Sequence, residues 1–145
     1  MADRLRLDRF LPYRLSVTSN LVSDRIASAY QALFGLSVPE WRLVAVLAEA
    51  GPIAPVALGE RTRMDKVTVS RAATALVARR LLARMPNAGD RRSHLLDLTG
   101  AGRALYARVA PEALKLEREL LASFTSAEVA TLDALLRKLE AAATS

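Results

Sequence analysis

The stretch PNAGDRRSHLLDLTGAG, Pro86–Gly102, decides the fold. Its first half is turn chemistry, with Asn, Gly and Asp in quick succession and Arg91 and Arg92 side by side at the tip. Its second half alternates. His94, Leu96 and Leu98 fall on one side and Ser93, Leu95 and Asp97 on the other, which predicts a strand over Ser93–Leu98. A partner strand is predicted over Leu82–Pro86. Thr99 then caps a long helix with an apolar stripe at Leu105, Val109, Ala113, Leu116 and Leu120, which Pro111 is expected to bend. Paired arginines at the end of a narrow hairpin are either solvated loop charge or a device aimed at an anion. The residues before them decide which.

Upstream, IAPVALGERTRMDKVTVSRAATALVARR, Ile53–Arg80, reads as two short helices around a tight turn. The first covers Val56–Thr62, with Pro55 near its first position. Asp65 is a good N-cap for the second, because its carboxylate accepts from backbone donors near Thr68 and complements the helix dipole. Val69, Ala72, Ala73, Leu76 and Val77 form the apolar stripe of that second helix. Lys66, Thr68, Ser70, Arg71 and Thr74 occupy its other faces, which are therefore short, polar and cationic. Arg79 and Arg80 sit at its C-terminal end, where cations favour the dipole, and are read as structural. Helix, turn, helix, then strand, loop, strand is the order of a winged helix.

The flanks are helical. Leu11–Phe34 has apolar or small residues at positions 11, 15, 18, 22, 26, 29 and 33, and Gly35 is its expected stop. Ser37 and Glu40 form a capping box opening a helix with Trp41, Val44, Leu47 and Ala48. Thr125 and Glu128 form another, for a last helix carrying Val129, Leu132, Leu135, Leu136 and Leu139. The fold expected is mainly α with a small β-wing: one domain over residues 1–145, a winged lobe over 36–99, and helical segments 1–35 and 100–145 around it.

Composition narrows the function. The chain has 145 residues and a formal charge of +6, unevenly spread. Pro55–Arg108 holds 11 Lys and Arg against four acids, a net of +7, while the rest holds 10 against 11. A basic middle between near-neutral ends is the footprint of a polyanion-binding surface. There is no cysteine, which excludes disulfides, thiolate metal sites and thiol redox switches. One histidine, read as partly buried and structural, and no P-loop, GxGxxG, HExxH or GxSxG motif leave no catalytic constellation, metal site or cofactor site. No apolar run approaches the roughly 18 residues that span a bilayer, and no signal peptide is read. A cytoplasmic protein without membrane contact is expected.

Double-stranded DNA fits the basic middle. A helix enters the major groove only if its exposed side chains are small or polar, and Thr68, Ser70 and Thr74 allow close approach. Lys66 and Arg71 reach phosphates or guanine edges, and Arg91 and Arg92 suit the electronegative minor groove. Asp90 belongs to the wing itself, bracing it by pairing with an arginine or by bonding loop amides.

With these residues in view the chain resembles the MarR family (multiple-antibiotic-resistance-type regulators) of dimeric winged-helix repressors. LSVPEWRLVAVLAEAGP, Leu36–Pro52, is similar to the family's second helix, and VALGERTRMDKVTVSRAATALVARRLLAR, Val56–Arg84, to its helix–turn–helix. DRRSHLLDLTGAGRALY, Asp90–Tyr106, matches the wing signature and is the most specific part. The resemblance implies a homodimer interlocked through residues 1–35 and 100–145. It implies a recognition helix carrying Lys66, Thr68, Ser70 and Arg71, and Arg91 and Arg92 on the minor-groove wing. With Asp90 adjacent, the two arginines are not expected to act alike: one braces the wing and the other enters the groove, with Arg92 favoured as the inserting residue. It implies a small aromatic or anionic effector. The family usually has glycine where this chain has Arg63 and Arg80; Arg63 therefore adds a phosphate contact at the cost of a strained turn.

The function expected is a sequence-specific, ligand-responsive repressor reading a pseudo-palindrome. Its competitors are a nonspecific architectural DNA-binding protein without an effector and a winged scaffold that binds protein.

Overall fold

Capping residues set the element boundaries in the computed structural model, which describes residues 3–145. After a short 3₁₀ turn at Leu7–Arg9, the order is α1 (Leu11–Phe34), α2 (Val38–Ala50), α3 (Pro55–Thr62), α4 (Lys66–Ala78), β1 (Leu82–Pro86), β2 (His94–Leu98), α5 (Gly100–Leu120) and α6 (Ser126–Thr144). Gly35 ends α1 in the left-handed region at φ 63°, a conformation that costs glycine nothing. Both capping boxes form: the Ser37 hydroxyl accepts from the Glu40 N–H while the Glu40 carboxylate accepts from the Ser37 N–H, and Thr125 and Glu128 repeat the exchange. The expected strand starting at Ser93 begins one residue later, and the helix expected from Val56 starts at Pro55. α5 runs unbroken through Pro111.

The contacts divide the chain into two compact units, Met1–Val109 and Ala110–Ser145. In the first, Leu36, Leu43, Val44, Leu47, Leu58, Leu76 and Leu96 are fully enclosed. Val69, Ala72, Ala73 and Leu76 turn inward from α4 onto α2 and α3. Trp41 lies between two tyrosines: its ring centroid is 5.5 Å from that of Tyr30 and 5.8 Å from that of Tyr106, the latter nearly parallel at 13°. This stack joins α1, α2 and the start of α5. Burial pushes the Tyr30 phenol above its ordinary pKa. Each unit also leaves apolar side chains uncovered, among them Leu11, Leu15 and Leu21 on α1 and Leu132, Leu135, Leu136 and Leu139 on α6.

The wing is antiparallel, with Leu82 opposite Leu98 and Pro86 opposite His94. Ile53, in the loop between α2 and α3, adds an isolated antiparallel bridge to β2: its N–H donates to the Leu96 carbonyl at 3.1 Å and its carbonyl accepts from the Leu96 N–H at 2.9 Å. Nothing in the sequence around Ile53 marks that bridge.

Helix α5 docks on the wing through Thr99 and Gly102. The Thr99 hydroxyl donates to the Arg80 carbonyl at 2.7 Å and accepts from the Gly102 N–H at 3.0 Å. Gly102 is buried, and a Cβ there would collide with the Leu81 carbonyl oxygen and crowd a Leu98 methyl. Gly100 has open space instead. Gly102→Ala is therefore expected to lower stability by about 2–3 kcal/mol in chemical denaturation, whereas Gly100→Ala stays near neutral.

Candidate nucleic-acid interface

The turn between α3 and α4 is built on strain. Arg63 closes α3 in the left-handed conformation at φ 58°, and Arg80 does the same after α4 at φ 61°. A side chain there costs about 1–2 kcal/mol. Neither arginine forms an ion pair among the described residues. The next cap compensates: Asp65 Oδ1 accepts from the Thr68 N–H at 2.7 Å. Bonds to Thr68, backbone first, hold the Asp65 carboxyl below its ordinary pKa, with help from the Arg71 charge.

Helix α4 divides cleanly. Lys66, Ser70, Arg71 and Thr74 are exposed. Thr68 is half-buried and its backbone N–H serves the cap, so it contributes less surface than the sequence predicts. Val67 is exposed on the same face as Ser70, Arg71 and Thr74, at helical spacings of three, four and seven. Sequence reasoning missed it, because an apolar residue was not sought on a polar face.

At the wing tip Asp90 resolves its two expected roles in favour of the backbone: Oδ1 accepts from the Arg92 N–H at 2.9 Å and its carbonyl accepts from the Ser93 N–H at 3.2 Å. Asn87 completes the brace, accepting from the Gly89 N–H and donating to the Ser93 hydroxyl at 2.9 Å. Arg91 and Arg92 project from this braced turn, exposed and without an ion pair among the described residues.

Arg79 is structural, as expected, but through a different helix. Its guanidinium donates to the Gly35 carbonyl at 3.0 Å and the Phe34 carbonyl at 3.2 Å, closing the C-terminus of α1 from the end of α4. A groove of about 750 Å³ opens between α3, α4 and the wing strands, where Arg63, Lys66 and Ser70 meet Arg84 and half-buried His94. Arg84 escaped the sequence reading because it was counted only as a strand residue.

Helix–turn–helix, braced hairpin and clustered free cations together define a winged-helix DNA-binding protein. The MarR family model matches residues 34–93. Over 130 residues the chain is 32% identical to the HTH-type transcriptional regulator PecS of Dickeya dadantii (strain 3937), covering 88% of this chain and 76% of that one. Among solved structures it is similar to a mutant E. coli MarR complexed with operator DNA, at TM-score 0.83 and 28% identity over 94% of this chain and 99% of that one. It is also similar to Bordetella bronchiseptica BpsR, whose DNA binding is regulated by 6-hydroxynicotinic acid, at TM-score 0.76 and 26% identity over 88% and 98%. The chain belongs to the MarR family and is a DNA-binding transcriptional regulator, not an enzyme.

Stability and affinity should part company at Arg63. Arg63→Gly removes both the left-handed penalty and a cation, so thermal denaturation is expected to show a gain of up to about 1 kcal/mol. DNA affinity, read in the same preparation, is expected to fall and its salt dependence to flatten by about one counterion per protomer.

Proposed function

We propose that this regulator is a homodimeric, sequence-specific repressor that reads a pseudo-palindromic operator. The observation that carries the reading is the pairing of two unneutralised cationic surfaces, the outer face of α4 and the braced wing tip. Lys66, Thr68, Ser70, Arg71 and Thr74 enter the major groove, with Arg63 on phosphate, while Arg91 and Arg92 follow the adjacent minor groove. Arg92 is the inserting residue. Residues 36–99 form the DNA-binding lobe and residues 1–35 and 100–145 the dimerisation helices of one domain. The uncovered leucines of α1 and α6 support that assignment, since exposed apolar faces of this length are costly in water. Two-fold symmetry then sets half-sites about 10 bp apart.

We further propose that a small aromatic or anionic effector releases the operator by favouring a dimer in which the two recognition helices no longer match successive major grooves. The regulation of BpsR by 6-hydroxynicotinic acid supports this class of effector. That acid is the first probe to add to a gel-shift titration, followed by other aromatic carboxylates; loss of the shifted band is the result expected.

Four measurements test the reading. Light scattering is expected to return about twice 15.7 kDa. Affinity for a selected palindrome is expected to exceed that for random duplex by roughly 10³ or more; a ratio near one would leave an architectural protein instead. Arg92→Ala is expected to weaken every duplex and reduce the salt slope by about one without changing the dimer. Arg71→Ala is expected to relax discrimination at one base pair by about 1–3 kcal/mol, and a loss uniform over all sequences would move Arg71 to phosphate.

A further inference from the structure

Among the described residues of α4, Val67 is the one large apolar side chain left uncovered, at 58% exposure. It stands at the N-terminal end of the outward face: Ser70, Arg71 and Thr74 follow it at three, four and seven residues, all exposed. Directly behind it Val69, Ala72, Ala73 and Leu76 are buried. Folding does not require an apolar group at this place. The hydrophobic staple of α4 joins the residue before the cap to the fourth helical position, which are Met64 and Val69. A β-branched residue is also a poorer helix former than the alanine, lysine or glutamate that such a surface position would favour.

On a face that enters the major groove, one apolar group has a specific counterpart. Each base pair shows donors and acceptors on the groove floor, and only thymine adds an apolar group, its C5 methyl. We propose that Val67 reads a thymine methyl in each operator half-site and is a specificity-determining residue of this protein. The inference rests on the DNA-binding reading of α4 proposed above. Arg71 lies one helical turn further on, about 6 Å along the axis of α4.

The test removes the methyl from either side. Duplexes selected by the wild-type protein from a random library are resynthesised with deoxyuridine in place of each half-site thymine, which deletes the C5 methyl and leaves the pairing edge intact. One position is expected to weaken wild-type binding about fourfold per half-site, the loss for one buried carbon group, and about 15-fold when both halves carry it. Val67→Ala is expected to bind the thymine and uracil duplexes alike. Its melting temperature is expected to be unchanged or slightly higher, because alanine is the better helix former at an exposed site. Val67→Thr keeps one methyl and is expected to retain part of the discrimination. Equal uracil penalties for wild type and Val67→Ala at every position overturn the proposal while leaving sequence-specific binding in place. No preference for selected over random duplex overturns the operator reading, and this inference with it.

Discussion

The buried seam along α4 is the constraint on which the rest depends. Val69, Ala72, Ala73 and Leu76 pack against α2 and α3, and two of these four are alanines, so the helix sits close to its neighbours. A close seat fixes the rotation of α4 about its own axis, which in turn decides which residues face out. Rotated by one position, the helix would present Thr68 and Ala72 in place of Val67 and Arg71. Interior packing tolerates such a slip poorly, since every methylene in a close-packed core is felt. The composition of the outward face is therefore a consequence of the inward one.

Two arginines in left-handed turns bracket that helix. Arg63 sets the angle between α3 and α4, and Arg80 turns the chain into β1. Glycine would hold either conformation without strain, so the side chains are tolerated against a local cost of the order of a kcal/mol each. The surroundings over-determine both turns. The Asp65 cap lies just beyond Arg63, and the Thr99 hydroxyl donates to the carbonyl of Arg80. What the strain retains is positive charge at the two ends of α4. Strained residues that persist near exposed cations belong more naturally to a binding surface than to a core.

Much of this was legible in the sequence, for a physical reason. Capping boxes, Asp65, Thr99 and the apolar stripes are local chemistry, written within a few residues, and each stands where spacing placed it. The same spacing placed Ser70, Arg71 and Thr74 outward and left Arg91 and Arg92 on a hairpin tip. What sequence could not show is non-local. Ile53 pairs with Leu96 across 43 positions, and Arg79 reaches Gly35 across 44. Neither residue looks unusual in its own neighbourhood. Val67 is a different kind of miss: it lies off the apolar stripe of α4, among polar residues where no apolar side chain was sought.

The wing shows why the paired arginines needed an aspartate beside them. An ion pair between Asp90 and either guanidinium would have neutralised the charge a minor groove attracts. Instead the carboxylate is occupied by the Arg92 backbone N–H, and Asn87 ties the far side of the loop through Gly89 and Ser93. The loop is thus ordered by its own polar groups, and the two guanidinium groups remain available. Ordering a loop before binding lowers the entropy that association must otherwise cost. Asp90 therefore acts through the backbone it holds and not by pairing with a guanidinium.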